Sequence, residues 1–265
     1  MKLIATEAIN TWARGRYASK IAFFLIFECL GAAASAAPDA AALRPFSTAP
    51  EGTPPPPWRV VGLPGHKTAI TEFQTTALDG STVLRVRASK SYGTLSHALP
   101  PRVPGPQTAL QWRWRLEQAL TSPNLRRKDG DDAALKVCAM FDMSLDRLGF
   151  VERNVLRLAR ARSGEPLPAA VLCYVWDATL APGTLLTNTY TARLRYLVLN
   201  GAETPLRQWA SHSRNLQQDF KLAFGNESSS VPPLVAIVVG ADADNTAGAS
   251  LAYVGDIALV EQSGP

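Results

Sequence analysis

Histidine, methionine and cysteine are scarce in this 265-residue chain, with three of each. The histidines, His66, His97 and His212, have no metal-ligand spacing, so each is expected at the surface or capping a turn. There is no G-x-S-x-G elbow, no H-E-x-x-H pair, no Gly-rich phosphate loop ending in Lys and no G-x-G-x-x-G turn. These absences remove the commonest nucleophilic, zinc-dependent and nucleotide-dependent chemistries. A clean apolar run of the roughly 20 residues that a spanning helix needs is also missing. Charge is modest too, at 18% of residues and a formal net of +5. The one basic triplet, Arg126-Arg127-Lys128, is followed at once by Asp129, Asp131 and Asp132, which reads as a solvated loop. Without a concentrated basic stripe, nucleic acid is not expected as a partner.

The first 36 residues have the three parts of a secretory leader: Arg14, Arg16 and Lys20, then IAFFLIFECL, then the small-x-small site Ala34-Ser35-Ala36. Glu28 inside the apolar run leaves an uncleaved anchor as the alternative. Cleavage would give a periplasmic or secreted chain with no stable membrane insertion. Removing residues 1–36 takes away four bases and two acids, which leaves 23 bases against 20 acids, a net of +3. Two cysteines then remain, Cys138 and Cys173, each inside an apolar run. An oxidising compartment allows them one disulfide, and two buried thiols are the alternative.

Residues 37–57 are rich in Ala and Pro, end in four prolines, and are expected to form a disordered tether. Residues 58–262 then run without a low-complexity break and are expected to form one domain. Its dominant period is two. Leu110, Trp112, Trp114 and Leu116 alternate with Gln111, Arg113 and Arg115, the pattern of a half-buried antiparallel strand, and this makes both tryptophans core residues. Asp79-Gly80 signals a two-residue hairpin between strands at 70–78 and 81–88. Further strands are expected at 93–99, 134–141, 170–176, 193–199, 234–239 and 250–260. Two stretches follow a helical period instead. One is 145–161, with Leu148, Val151, Val155 and Leu158 on one face, and the other is 211–224, with Leu216, Phe220 and Phe224. The fold class is thus mainly β, an antiparallel β-sandwich of jelly-roll type with two short amphipathic helices.

Three groups of residues are candidates for a site. In GADADNTAG, residues 240–248, Asp242, Asp244 and Asn245 offer the oxygen ligands that calcium prefers, with Asp256 on the returning strand to complete the shell. A capped turn is the competing reading, because Asp and Asn side chains bond local backbone N–H groups. Around the second helix, Trp209, Arg214, Asn215 and Asp219 combine an aromatic face, a guanidinium fork, an amide and a carboxylate. Such a set suits a sugar, or a buried salt-bridge network that pins a helix to a sheet. Trp176 with Asp177 ends a strand and is the third candidate, as a stacking platform at a loop rim. Hydrolysis needs only two carboxylates on facing elements, which Asp131, Asp132, Asp177, Asp219 and Asp256 could supply.

Eight ordered elements together resemble a known family. They are Trp112-Arg-Trp114, Asp131-Asp132 ahead of a strand ending in Phe141, Tyr174-Val-Trp-Asp177, Trp209 followed by Arg214-Asn215, Asp219-Phe220, Phe224-Gly225, Asp242-Ala-Asp-Asn-Thr246 and Tyr253-Val-Gly-Asp-Ile257. Over about residues 58–260 they are similar to the exported bacterial domain of unknown function three thousand and forty-seven. That resemblance implies export and brings no activity. A weaker likeness, carried by Gly255-Asp256-Ile257-Ala-Leu259, is to jelly-roll carbohydrate-binding modules. The expectation is an exported, non-catalytic ligand-binding module with carbohydrate as ligand and calcium as a structural ion. The alternatives are a glycan hydrolase using an aspartate pair and a purely structural envelope protein.

Overall fold

The alternation read in residues 110–116 is realised in the longest strand of a six-stranded sheet, where Leu110, Trp112, Trp114 and Leu116 are all buried while Arg113 is exposed. A computed structural model describes residues 42–63, 68–163 and 167–262. The expected leader lies outside the described residues, as does His66.

Among the described residues the strands run in chain order as β1 (Arg59–Val61), β2 (Ala69–Ile70), β3 (Glu72–Leu78), β4 (Ser81–Ser89), β5 (Ser91–Arg102), β6 (Thr108–Gln118) and β7 (Leu135–Phe141). After helix α1 (Phe150–Ser163) come β8 (Ala170–Trp176), β9 (Leu185–Thr187), β10 (Leu194–Asn200) and β11 (Ala210–Asn215). Helix α2 (Leu216–Phe224) leads to β12 (Leu234–Asp242), β13 (Ala249–Val254) and β14 (Ala258–Glu261).

These strands form two sheets. The six-stranded one has the order β11-β6-β13-β4-β3, with β14 also on β6. The eight-stranded one has the order β1-β5-β12-β7-β8-β10-β9, with β2 on β5. The result is a mainly β sandwich of two sheets that carries two helices. Two pairings, β8 with β10 and β2 with β5, are parallel and depart from the expected all-antiparallel pattern. Two late strands are central ones: β12 lies between β5 and β7, and β13 between β4 and β6. At the β3–β4 hairpin, Asp79 and Gly80 take φ of 51° and 78°, the left-handed pair that a type I′ turn requires.

The facing sheets enclose the main core, in which Trp114 and Trp176 pack 6.0 Å apart and Trp112 packs against Tyr174 at 5.1 Å. A second apolar cluster lies on the other face of the eight-stranded sheet and includes Cys138, Val171, Cys173, Val175, Tyr196 and Val238. This explains why β8 reads AVLCYVW with no polar alternation: both of its faces are buried. Cys138 and Cys173 sit directly opposite each other on β7 and β8 and form a disulfide.

Three expectations need correction. First, residues 42–57 pack on the domain rather than trailing from it. Phe46 is fully buried with its ring 5.1 Å from Trp58, and the Phe46 and Ser47 amides donate to Asp256 at 2.7 and 2.9 Å. Trp58 Nε1 donates to the Arg44 carbonyl, and Arg44 N–H to His97 Nε2. Second, residues 211–215 belong to β11, paired with β6, and the helix starts only at Leu216; Asn215 caps it by accepting from Gln218 N. Third, α1 begins after a 3₁₀ turn at Leu145–Arg147, and its expected buried stripe faces solvent. Phe150, Val151, Val155 and Leu158 are 79, 74, 62 and 51% exposed, whereas Leu148 and Leu156 are buried. The cause is polar: Glu152 pairs with Arg193 on β10's leading edge at 2.9 Å, and Arg160 Nε donates to the Leu167 carbonyl, which fixes the 152/156/160 side of the helix inward.

Candidate ligand-binding site

A cavity of about 380 Å³ lies on the outer face of the eight-stranded sheet, roofed by α1. Its apolar wall comes from Met140, Val171 and Val238 on the strands, the Cys138–Cys173 bridge, and Val155, Leu156 and Ala159 on the helix. The strands reach this face because every second residue of β7, β8 and β12 points away from the main core. Pockets of this kind, mostly apolar with a few convergent polar groups, are where small ligands bind.

The polar end is built by Tyr92, Thr94 and Lys136. Lys136 is buried in the middle of an apolar strand, and its Nζ donates to Asp242 Oδ1 at 2.9 Å. Space for its stem is made by Gly240 on the neighbouring strand, where a Cβ would stand 2.9 Å from Lys136 Cε and 3.1 Å from Thr94 Cγ2. Burial works against the lysine charge, but Asp242 and the nearby Tyr196 and Tyr92 hydroxyls outweigh it and hold the ammonium protonated above its ordinary range. One of its three donors is used on Asp242, so an acceptor on a ligand has others to engage. Tyr92 lies 5.4 Å from Nζ and is kept neutral by burial. Behind it, burial also raises Asp131, which accepts from Asn188 at 2.5 Å and from Tyr196. The opposite rim is an ion-pair network in which Arg193 bridges Glu152 and Glu227 and Arg195 pairs with Glu227.

GADADNTAG turns out to be the capped turn at the edge of this site. Asp132, fully buried, accepts from the Asn245 and Thr246 amides and from the Thr246 hydroxyl, while Asn245 Nδ2 donates to the Lys128 carbonyl and Tyr190 hydroxyl. Of the four residues expected to ligate calcium, Asp242 faces Lys136, Asp244 and Asn245 lie in the turn, and Asp256 is held away by Phe46 and Ser47, so they do not form one shell. Among the described residues no group of three or more His, Cys, Asp or Glu is placed to hold a metal ion.

The second group forms the salt-bridge network. Arg214 grips Asp219 with two bonds of 2.9 and 2.6 Å, and Tyr174 donates to the same carboxylate at 2.8 Å. These tie α2 to β11 and β8. Trp176 and Asp177 are both buried rather than at a rim. Trp176 packs in the main core, and Asp177 Oδ1 accepts from Thr179 N, Thr179 Oγ1 and Leu180 N, closing the turn after β8. His97 is buried inside the fold, and His212 is half-buried at the groove beside Arg113, where its Nε2 meets Asn200 Oδ1 at 2.8 Å between Trp112 and Trp114.

Trp209 alone among the expected aromatics is partly open. It lies on the outer face of the six-stranded sheet, with the Arg113 guanidinium 4.6 Å over its ring and its Nε1 bonded to Asp79. Beside Arg113 a groove of about 540 Å³ opens where β13 breaks before β14, lined by Ser81, Gln111, Ser211 and Ser213 among others.

The residues that the sequence reading missed are Lys136, Tyr92, Gly240 and Met140. Two signals point to them: a lone lysine within LKVCAMF, and a glycine inside the otherwise apolar LVAIVVGAD.

Comparisons with known proteins add the following. A family model described as protein of unknown function (DUF3047) matches residues 56–258. No curated protein matches the chain. Among solved structures, similar chains include endoglucanase 3 of Trichoderma harzianum from family GH12, at 8% identity, TM-score 0.38 and coverage of 79% of this chain and 100% of that one. Another is a thermostable cellulase derived from the Cel12A cellulase of Rhodothermus marinus, at 12% identity, TM-score 0.37 and coverage of 77% and 96%. A third is the K1 cleaved adhesin domain of Lys-gingipain from Porphyromonas gingivalis, at 8% identity, TM-score 0.34 and coverage of 84% and 99%. None of these likenesses bears on function.

Proposed function

The chain belongs to the DUF3047 family of proteins of unknown function, and from that premise we propose that it is an exported, non-catalytic binding module whose cavity under α1 takes a small amphiphile. The carrying observation is the cavity itself: an apolar chamber on the solvent side of a sheet, ending in a buried Lys136–Asp242 pair with unused donors. Both charges there are compensated, which favours a neutral ligand with an apolar body and a hydrogen-bond acceptor at one end. Export is supported by the leader-like start of the sequence and by the Cys138–Cys173 disulfide, a feature of oxidising compartments. Among the described residues no helix is long and apolar enough to cross a membrane. A non-catalytic role is supported by how the aspartates are used, since Asp132, Asp177, Asp219 and Asp256 each accept bonds that hold a turn, a helix or the N-terminal arm.

The test is titration with a neutral fluorescent probe, N-phenyl-1-naphthylamine, followed by competition with 1-dodecanol. Saturable binding to one site is expected. Ala159→Trp and Met140→Trp, which fill the cavity from its roof and floor, should each weaken it by about ten-fold or more while leaving the melting temperature close to wild type. Binding that is non-saturable, or indifferent to both fillings, refutes the reading.

Carbohydrate is the second reading, favoured by the hydroxyl- and amide-lined groove beside Arg113 and Trp209. Hydroxyls pair with such groups while a sugar face stacks on indole. It predicts affinity for soluble oligosaccharides that Trp209→Ala abolishes and 1-dodecanol does not displace.

A further inference from the structure

We propose that α1, with the turn before it, is a docking surface for an anionic lipid bilayer. Helices this exposed usually bury their apolar stripe, yet α1 turns Phe150, Val151, Val155 and Leu158 to solvent along one side. The charge around that stripe identifies its partner. Residues 145–163 hold five arginines against Asp146 and Glu152, a net of +3. Residues 37–265 as a whole hold 23 bases and 20 acids, also +3, so the rest of that stretch carries 18 of each and is neutral. All of the excess charge therefore sits on the element that also exposes its apolar side chains. Arg147 and Arg157 are exposed beside the stripe, and Arg153 and Arg160 anchor its inner flank through the Leu148 and Leu167 carbonyls. Aromatic and aliphatic residues on one face with arginines around them are what seat a helix in the plane of a bilayer interface.

A protein partner of acidic character would satisfy the arginines, but it would have to supply an apolar groove of matching length. A bilayer supplies both the anionic headgroups and the apolar depth without such matching. The attachment is peripheral, and because Val155 is both part of the stripe and part of the cavity wall, the mouth of the cavity lies at the docking surface. Docking nevertheless stands on the exposed stripe and its charge, independently of what the cavity holds.

The experiment is co-sedimentation of residues 38–265, the compact unit that contains both apolar clusters, with vesicles of phosphatidylcholine alone and of phosphatidylcholine with phosphatidylglycerol. Leaving out the leader-like segment keeps its own apolar run from binding the vesicles. Binding should favour the anionic vesicles by about ten-fold or more and weaken with added salt, since each arginine near an anionic surface contributes roughly five-fold. Phe150→Ser with Leu158→Ser should remove it, and Arg147→Gln with Arg157→Gln should weaken it by about 25-fold. All four positions are exposed, and unchanged melting together with retained naphthylamine binding shows that each variant is folded. Absence of binding to the anionic vesicles, equal binding by the variants, or burial of the stripe in a dimer that vesicles do not dissociate overturns the proposal. The Ala159→Trp variant separates the two readings, because it blocks the probe and leaves vesicle binding intact.

Discussion

His212 shows how a single side chain is set by neighbours that the sequence does not place beside it. Trp114 Nε1 donates to Asn200 Oδ1 at 2.7 Å, so that atom is the amide oxygen and the His212 Nε2 that meets it must carry a proton. Burial, helped by the Arg214 charge, pulls the imidazole from 6.5 down to about 4. In the unfolded chain the ring titrates near its ordinary value, so between those two pH values the unfolded state binds more protons. This group therefore withdraws stability as pH falls from about 6.5 to about 4 and has no effect on the slope above that window. Denaturant unfolding at pH 7 and at pH 4.5 should show a larger loss for wild type than for His212→Gln; equal losses would falsify the assignment. At this scale the sequence was partly legible. Trp112 and Trp114 announced themselves through strict alternation, whereas Trp176 looked like a rim residue because its strand ends there, and the Asp177-capped turn that covers that end is invisible in a linear reading.

Elements were legible where one period governed them. The expected strands lie close to their positions, except that 250–260 divides into β13 and β14, while β1, β2, β9 and β11 were not foreseen, and α2 buries Leu216, Phe220 and Phe224 as its period requires. The periodicity of α1 was real but pointed the wrong way, because an ion pair with Arg193, 41 residues later, chose which side turned inward. The N-terminal arm was hidden for a different reason. Its two anchors, Leu43 and Phe46, are isolated among Ala and Pro and form no period, and their partners Trp58, His97 and Asp256 are scattered along the chain. Because Phe46 is fully buried there, Phe46→Ala should cost about 3–5 kcal/mol. Chemical unfolding measures that loss, and limited proteolysis should then cut within residues 42–52 first. A loss below about 1 kcal/mol would mean that the arm is not part of the cooperative fold.

For the whole molecule, composition and alternation specify a β-sandwich, but not the cavity, which is assembled from strands and a helix far apart in sequence. Continuous apolar runs in β7, β8 and β12 were the trace of it, since a sheet with a wet outer face would alternate. The disulfide crosses this doubly buried sheet and closes a loop of 35 residues. Its removal by Cys138→Ser with Cys173→Ser should cost on the order of 3–4 kcal/mol. Because the bridge also floors the cavity, the same variant should weaken naphthylamine binding, and intact affinity with lowered stability would separate scaffold from site.

The placement of β12 and β13 has a consequence for the life of the chain. Each of these late strands completes the middle of a sheet, so β5 and β7 on one side, and β4 and β6 on the other, have no shared neighbour until nearly the whole polypeptide has emerged. Pairings this distant in sequence form slowly, and until they do, four apolar strand edges stand open to association with other chains. Under the proposed export the chain would reach the far side of the membrane with both half-sheets unsealed, the state in which open apolar edges associate most readily.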